Sequence, residues 1–275
     1  MRNPKEERSP VLMIDRKKLA SLVKVARSAV SASHTTLPIL NNVLLEWDGD
    51  LRLTTTDLDR YCIATMPGAD AQTPGSTTIP SKVLHEILSE WSDETISFDL
   101  TDAKLHLKDV VGRSAYQLLT MPTEDFPALP EFEVLCTVDL PAENLARALG
   151  MAERHVAVSE SNPILTGVLF SIDKGQMHLV ATDTHRLIVI PVPCAPKKDL
   201  EVIVPARNLS SILAHADKDS DVRMDISENW ASFEFASAGN RVRLVSRLID
   251  GSYPNYKKVM PHNFEREIRV GAKEC

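Results

Sequence analysis

The chain has few cysteines, few aromatic residues and no surplus of positive charge, and each shortage removes a class of function. Its 275 residues include four cysteines, Cys62, Cys136, Cys194 and Cys275, far apart and without a C-x-x-C pair. That spacing argues against a zinc site and for a reduced, cytoplasmic set of packing thiols. Aromatic residues make up 5% of the chain, and no stacking platform, helix-turn-helix or zinc finger is visible. No apolar run reaches the roughly 18 residues of a membrane span, so no membrane partner is expected. The first ten residues, MRNPKEERSP, lack the apolar core of a signal peptide and read as a disordered extension. H-E-x-x-H, G-x-S-x-G and a phosphate-binding glycine loop are all missing, so no cofactor is expected. The net charge of −7 speaks against a general nucleic-acid binder unless basic residues cluster locally.

What the chain does have is repetition. The stretch from Leu37, LPILNNVLLEWDGDLRLTTTDLDRYCI, matches that from Asn162, NPILTGVLFSIDKGQMHLVATDTHRLIV, with one extra residue at Gln176. KKLASLVKVARSAV upstream aligns with ENLARALGMAERHV at a shift of about 126 positions, and TTIPSKVLHEIL aligns with VIVPARNLSSIL. Two related domains follow, 11–130 and 131–262, meeting near Ala128–Val134. Each contains a half-length repeat, so four copies of one unit are legible. A fifth copy starts at REIRVGAKEC, which makes 263–275 the stub of a third domain.

Each unit reads as a short strand ending at Asp or Pro, then a helix, then alternating β runs such as TISFDL, KLHLKDV, VRMDIS and WASFEFAS. The helical stripes are Leu19, Leu22, Val23, Ala26 and Val30; Leu84, Ile87, Leu88 and Trp91; Leu145, Ala148, Leu149 and Ala152; and Leu209, Ile212, Leu213 and Ala216. The expected fold is α+β, with two helices per domain packed on antiparallel sheets.

The helix faces opposite these stripes carry Arg16, Lys17, Lys24 and Arg27 on the first helix, Lys82 on the second, Arg147 and Arg154 on the third, and Arg207 and Lys218 on the fourth. Any one such face is ordinarily a solvated surface. A bias shared by four equivalent helices also fits weak, salt-sensitive, sequence-independent contact with phosphates.

Within LVATDTHRLIVI (179–190), Asp183 and His185 raise the question of catalysis. The first domain has TTTDLDRY at the same place, so Asp57 matches Asp183 while Asp59 replaces His185. An Asp in both copies reads as a hydrogen-bonding group at a strand end. His185 belongs to one domain and is either a functional residue or an ordinary packed or surface histidine. A hydrolase or metalloenzyme would need a nucleophile or a third ligand beside them.

LPILNNVLLE, LTTTDLDRY, TTIPSKVLHEIL, VATDTHRLIVIPVP and RLIDGSYPNYKKVMP together resemble the bacterial DNA polymerase III beta sliding clamp family, over nearly the whole chain from about Val11. The resemblance implies a DNA-clamp fold and a non-catalytic processivity factor that encircles duplex DNA and tethers polymerases. The implied partners are duplex DNA, the DNA polymerase III alpha subunit, the clamp loader and other proteins with clamp-binding motifs. It implies a groove for a hydrophobic peptide at Leu165, Thr182, His185, Arg186, Leu187, Pro254, Lys258 and Val259. It adds His34 and Arg207 as DNA contacts. The family commonly has Gly at Thr184 and often Arg at Lys258.

Members of the family have three domains and close as dimers. Two outcomes are open for this chain: three copies could self-associate into a six-domain ring, or the chain could be an open, truncated clamp acting as a peptide-binding or decoy module. The second is favoured, because a stub ending in mid-helix has neither cap nor partner.

Overall fold

The structure, a computed structural model, describes residues 12–260 apart from 31–36, 72, 102, 110–112, 132, 160, 195–197 and 208. The 1–10 extension, His34 and the 263–275 stub therefore lie outside the described residues. In the first half the chain runs β1 (Leu12–Asp15), α1 (Arg16–Ala26), β2 (Asn42–Asp48), β3 (Asp50–Thr56), β4 (Arg60–Met66), β5 (Asp70–Ala71), β6 (Gly75–Pro80), α2 (Ser81–Glu90), β7 (Thr95–Thr101), β8 (Lys104–Asp109) and β9 (Ala115–Leu119). The second half runs β10 (Cys136–Pro141), α3 (Ala142–Ala152), β11 (Gly167–Asp173), β12 (Gln176–Thr182), β13 (Leu187–Val192), β14 (Leu200–Pro205), α4 (Leu209–Leu213), β15 (Asp221–Ile226), β16 (Trp230–Ser237) and β17 (Asn240–Arg247).

Every helix follows a strand, as the four-unit repeat requires. Asp15 caps α1, its carboxylate accepting from the backbone N–H of Lys18 at 2.8 Å. Before α2 and α3 the corresponding residues are Pro80 and Pro141, whose φ of −58° already suits the entry to a helix. The first backbone N–H of α1, on Arg16, donates to the Glu94 carbonyl at 2.8 Å. That of α3, on Ala142, donates to Ser220 at 3.0 Å, so both members of this bond recur 126 positions on.

Strand registers repeat in the same way. Leu12↔Phe98 in one half corresponds to Val138↔Met224 in the other, and Ser97↔Lys108 to Arg223↔Glu234. The extra residue at Gln176 is absorbed in the β11–β12 hairpin, at Lys174 and Gly175 with φ of 51° and 77°. The two halves join through strand pairing: β17 lies antiparallel to β4, from Ser246↔Arg60 to Arg241↔Thr65. The result is an eight-stranded sheet, β10-β15-β16-β17-β4-β3-β2-β6, flanked by a five-stranded sheet β5-β1-β7-β8-β9 and a four-stranded sheet β13-β12-β11-β14.

The helical stripes are buried as expected, with Leu19, Leu84, Leu145 and Leu209 all in one hydrophobic core that runs through both halves. α1 packs on α2 and α3 on α4, and each pair lies against the sheets. Truncating any of these leucines to Ala would cost about 2–5 kcal/mol through lost transfer energy and the cavity left behind.

The fourth helix is shorter than its apolar stripe implies. His215 and Ala216 bond back three residues, to Ile212 and Leu213, and Asp217 N–H then turns to the Ala236 carbonyl on β16. Lys218 accordingly stands in a turn, off the helix.

Candidate functional site

Two surfaces collect the residues singled out in the sequence. On the helix side, Lys17, Lys24, Lys82, Arg147, Arg154 and Arg207 are exposed. Arg16 and Arg27 are not free in the same sense: both are half-buried, Arg16 at the start of α1, which packs on α2, and Arg27 just past the end of α1. Arg16 Nη1 donates to the Leu88 carbonyl at 3.2 Å, holding the last turn of α2, which corrects its place on the open basic face. Lys82 pairs loosely with Glu86 at 3.9 Å, a contact worth about 0–1 kcal/mol in solvent.

The charge of Lys24 is felt by a histidine in each half. Burial, then the Arg27 charge, lowers the His85 imidazole below its ordinary value, with Glu86 opposing and Lys24 adding to the effect. Burial and the same Lys24 charge lower His215, which follows α4 in the other half. A cation from α1 is thus within electrostatic reach of both halves.

Glu153, just past the end of α3, is engaged internally. Its Oε1 accepts from Ser210 N–H at 2.7 Å and its Oε2 from the Ser210 hydroxyl, so a carboxylate from the end of α3 satisfies the first turn of α4.

The second surface is the β12–β13 turn. Asp183 Oδ1 accepts from the backbone N–H groups of His185 (2.9 Å) and Arg186 (2.7 Å), while Oδ2 accepts from Arg186 Nε (3.0 Å) and Nη2 (2.8 Å). These bonds, led by the backbone N–H of Arg186, hold its carboxyl well below the usual carboxylate range. Thr182 Oγ1 donates to the Arg186 carbonyl at 2.7 Å and accepts from Thr184 N–H at 3.1 Å. Thr184 sits at φ 77°.

The first half builds the same turn. Asp57 holds Arg60 N–H at 2.8 Å and its guanidinium at 2.5 Å, Thr56 bonds the Arg60 carbonyl, and Leu58 has φ 80°. Asp183 is therefore a turn-forming residue, as its duplication implied. His185 is exposed on the turn, with its backbone N–H held and its ring outward from the core.

Arg60 itself escaped the sequence reading. It is 6% exposed, and its Nη1 donates at 3.0 Å to the carbonyl of Arg207, tying the first half to the second. The signal was present in the alignment of TTTDLDR with VATDTHR, where Arg60 matches Arg186.

Behind the β12–β13 turn lies a small apolar cluster on the face of the four-stranded sheet away from the main core. Leu169, Val180 and Ile203 are buried there, while their strand neighbours Val168, Phe170, Leu179 and Val204 face the main core, as period-2 alternation requires. Tyr253 and Tyr256 cover the cluster, Leu187 and Val189 pack on it, and the Tyr253 hydroxyl accepts from Thr182 N–H at 3.2 Å. Burial raises the Tyr253 phenol to about 12.

The structure thus brings Thr182 and Leu187 onto the Tyr253–Tyr256 segment. Pro254, Lys258 and Val259 stand exposed along that segment, Val259 at 71%. Leu165 is buried in a short 3₁₀ turn and offers no open surface. Two cavities flank the segment, one of about 360 Å³ by Val189 and Tyr256 and one of about 320 Å³ by Leu169, Ile203 and Tyr253. Among the described residues no three His, Cys, Asp or Glu side chains are grouped to hold a metal ion, and no helix is long and apolar enough to cross a membrane.

Comparison with known proteins bears on both surfaces. Residues 11–130 match the family described as DNA polymerase III beta subunit, N-terminal domain, and residues 139–255 match its central domain. The beta sliding clamp of Synechocystis sp. is 32% identical over 279 residues, covering 93% of this chain and 70% of the relative. That of Escherichia coli K12 is 31% identical over 242 residues, and the alignment covers 86% of this chain and 64% of that protein's length. The crystal structure of the Pseudomonas aeruginosa DNA polymerase III subunit beta superposes with a TM-score of 0.83 at 28% identity, over 91% of this chain and 68% of that one.

Proposed function

The chain belongs to the DNA polymerase III beta sliding clamp family, and from that membership we propose that it is a replication processivity factor built of two clamp domains, 11–130 and 131–262, which surrounds duplex DNA and holds partner proteins by a short hydrophobic peptide. The observation that carries the DNA part is the row of exposed cations on the helices of both halves, with the Lys24 charge acting on His85 in its own half and on His215 in the other. Exposed Lys17, Lys24, Arg147, Arg154 and Arg207 then neutralise phosphates, contacts that carry no sequence information of their own. Retention comes from topology, so individual contacts can stay weak and the ring can slide.

The peptide part rests on the apolar cluster under Tyr253 and Tyr256. Leu187 and Val259 supply apolar surface, and His185, Arg186 and Lys258 supply polar groups at its rim. The clamp loader and the DNA polymerase III alpha subunit are the partners this reading assigns to it. The protein performs no chemistry in this role.

The test is retention on DNA. The labelled chain is incubated with nicked circular DNA, with and without a bacterial clamp loader and ATP, washed at high salt, and the DNA is then linearised. Retention on circles that disappears on linearisation supports encirclement. Equal, salt-sensitive binding to circles and linear DNA would sink it, and peptide affinity surviving alongside that result would leave a peptide-binding module.

A further inference from the structure

The internal repeat places a second covered groove on the first half. Leu44 pairs with Thr54 and Thr78 as Leu169 pairs with Val180 and Ile203, and Thr54 pairs with Ile63 as Val180 does with Val189. The floor of the Tyr253–Tyr256 cluster therefore recurs as Leu44, Thr54, Ile63 and Thr78, on the sheet face away from the main core. Its cover recurs too: Asp-Phe-Pro at 125–127 answers Ser-Tyr-Pro at 252–254, and Leu129 answers Tyr256. Phe126 is buried against Ile39 and Leu40. The covering segment is tied down at Met121, whose N–H donates to the Thr78 carbonyl at 3.2 Å and whose carbonyl accepts from the Thr78 hydroxyl at 2.9 Å.

Between this segment and the sheet lies a cavity of about 490 Å³. Its lining residues Arg52, Ile63 and Leu129 match His178, Val189 and Tyr256 around the cavity of about 360 Å³ in the second half. The two copies differ in charge. In the first half the sheet continues past β4 into β17 and β16, which add Arg241, Arg243 and Glu234 to the wall. Strand register puts Arg52, Thr65 and Arg241 in one row across the sheet, and Ile63, Arg243 and Glu234 in the next.

The cations of the first row are available to a ligand. Arg52 and Arg241 are both exposed and stand two strands apart, so roughly 10 Å separates their backbones. Arg52 meets Glu46 only loosely, at 3.8 Å, an exposed contact that a better-placed carboxylate displaces at little cost. Directly across from Arg241 are Thr65 and Ala236, neither of which can neutralise it. Three arginines thus face two glutamates around an apolar floor, and the surplus charge lies at Arg241.

We propose that this groove takes an extended peptide of a partner protein in which an apolar side chain sits beside acidic ones. The apolar side chain enters between Leu129 and Ile63, and the carboxylates meet Arg241 and Arg52. Glu46 and Glu234 favour a peptide over a nucleic acid, because they repel a phosphate backbone yet accept from peptide N–H groups. The helices pack on the opposite, core side of the sheets, so a peptide held here leaves their exposed cations free. The proposal requires neither DNA encirclement nor the Tyr253–Tyr256 groove, since it stands on the cavity, its charges and the repeat.

The test selects a random library of ten-residue peptides, displayed on phage, against the immobilised whole chain at low salt. The enriched peptides are then synthesised, labelled and measured by fluorescence anisotropy. They should carry an Asp or Glu within two positions of an apolar residue. Arg52→Ser with Arg241→Ser should weaken the tightest of them at least tenfold, and Val259→Ala, at the other groove, by less than twofold. Circular dichroism checks the double variant. Should it misfold, Leu129→Asp takes its place, on a segment outside the strands, with the same tenfold loss expected. Selection of no acidic peptide overturns the proposal, as does an affinity that neither the arginine variant nor Leu129→Asp lowers. Peptides lost in Val259→Ala alone belong to the Tyr253–Tyr256 groove, a result that leaves that reading standing and refutes this one. Binding of a single-stranded oligonucleotide that is lost in the arginine variant, with no acidic peptide selected, gives the groove to nucleic acid and likewise overturns the proposal.

Discussion

Asp183 grips Arg186 through both backbone and guanidinium, and 126 residues earlier Asp57 grips Arg60 in the same way, yet only Arg60 has a domain to hold. One turn has been used twice: once as an internal fastener between halves and once as an exposed platform beside the apolar cluster. The carboxylates serve the geometry of the turn in both places.

Replacing Arg60 should therefore weaken the junction of the halves. Arg60→Ala leaves Asp57 and the Arg207 carbonyl without their partner in a nearly buried site, an expected loss of about 3 kcal/mol. Arg60→Lys should recover little of this, because one ammonium cannot replace a forked guanidinium. Denaturant unfolding with hydrogen exchange at β4 and β17 measures both; a change under 0.5 kcal/mol in Arg60→Ala would remove its role as a fastener.

Thr184→Gly should stabilise the β12–β13 turn by about 1 kcal/mol, since a β-branched residue at φ 77° carries strain that glycine lacks. Thermal unfolding and hydrogen exchange of His185 and Arg186 report it. No gain would mean that the Thr182 and Asp183 hydrogen bonds already offset the strain.

On the helix surface, Lys24→Glu with Arg147→Glu should weaken duplex binding at low salt and reduce the slope of log affinity against log salt by about 1 per lost contact. Arg16 suits this experiment poorly because its guanidinium holds α2. Fluorescence anisotropy over a salt series decides; an unchanged slope would turn these helices away from DNA.

Duplex binding should also strengthen as pH falls toward and below the ordinary histidine value of about 6.5. His85 and His215 are held neutral in the free protein by burial and by neighbouring cations, so both titrate below the ordinary histidine value. Phosphates nearby would raise them, so the bound state takes up more protons than the free one and affinity rises as pH falls through that range. His85→Gln with His215→Gln should flatten the profile, and a profile unchanged by the double substitution would exclude both histidines.

At the other surface, Leu187→Ala and Val259→Ala should each weaken a hydrophobic clamp-binding peptide by about 1–3 kcal/mol. Val259 is exposed, so its loss should leave unfolding unchanged, while Leu187 packs on the tyrosine cluster and should cost some stability. Titration calorimetry separates the two effects, and unchanged affinity in both variants would remove the groove.

Sequence alone determined the four strand–helix units, their apolar stripes, the two-domain period and the duplication of the Thr-Asp turn, because each depends on local periodicity or direct identity between copies. Even the structural role of Asp183 was legible once Asp57 stood beside it. The short fourth helix was not, because Asp217 turns away to bond a strand 19 residues on. Nor was the fate of individual basic residues: Arg16 and Lys17 are adjacent in sequence, and packing of α2 against α1 half-buries the first and leaves the second in solvent. The same holds for the two copies of the turn, where β17 pairs with β4 and makes Arg60 a fastener, while Arg186 on the matching turn stays exposed. Local pattern fixes what each segment can form, but burial and pairing are set by which other segment arrives, and that information exists only in the folded chain.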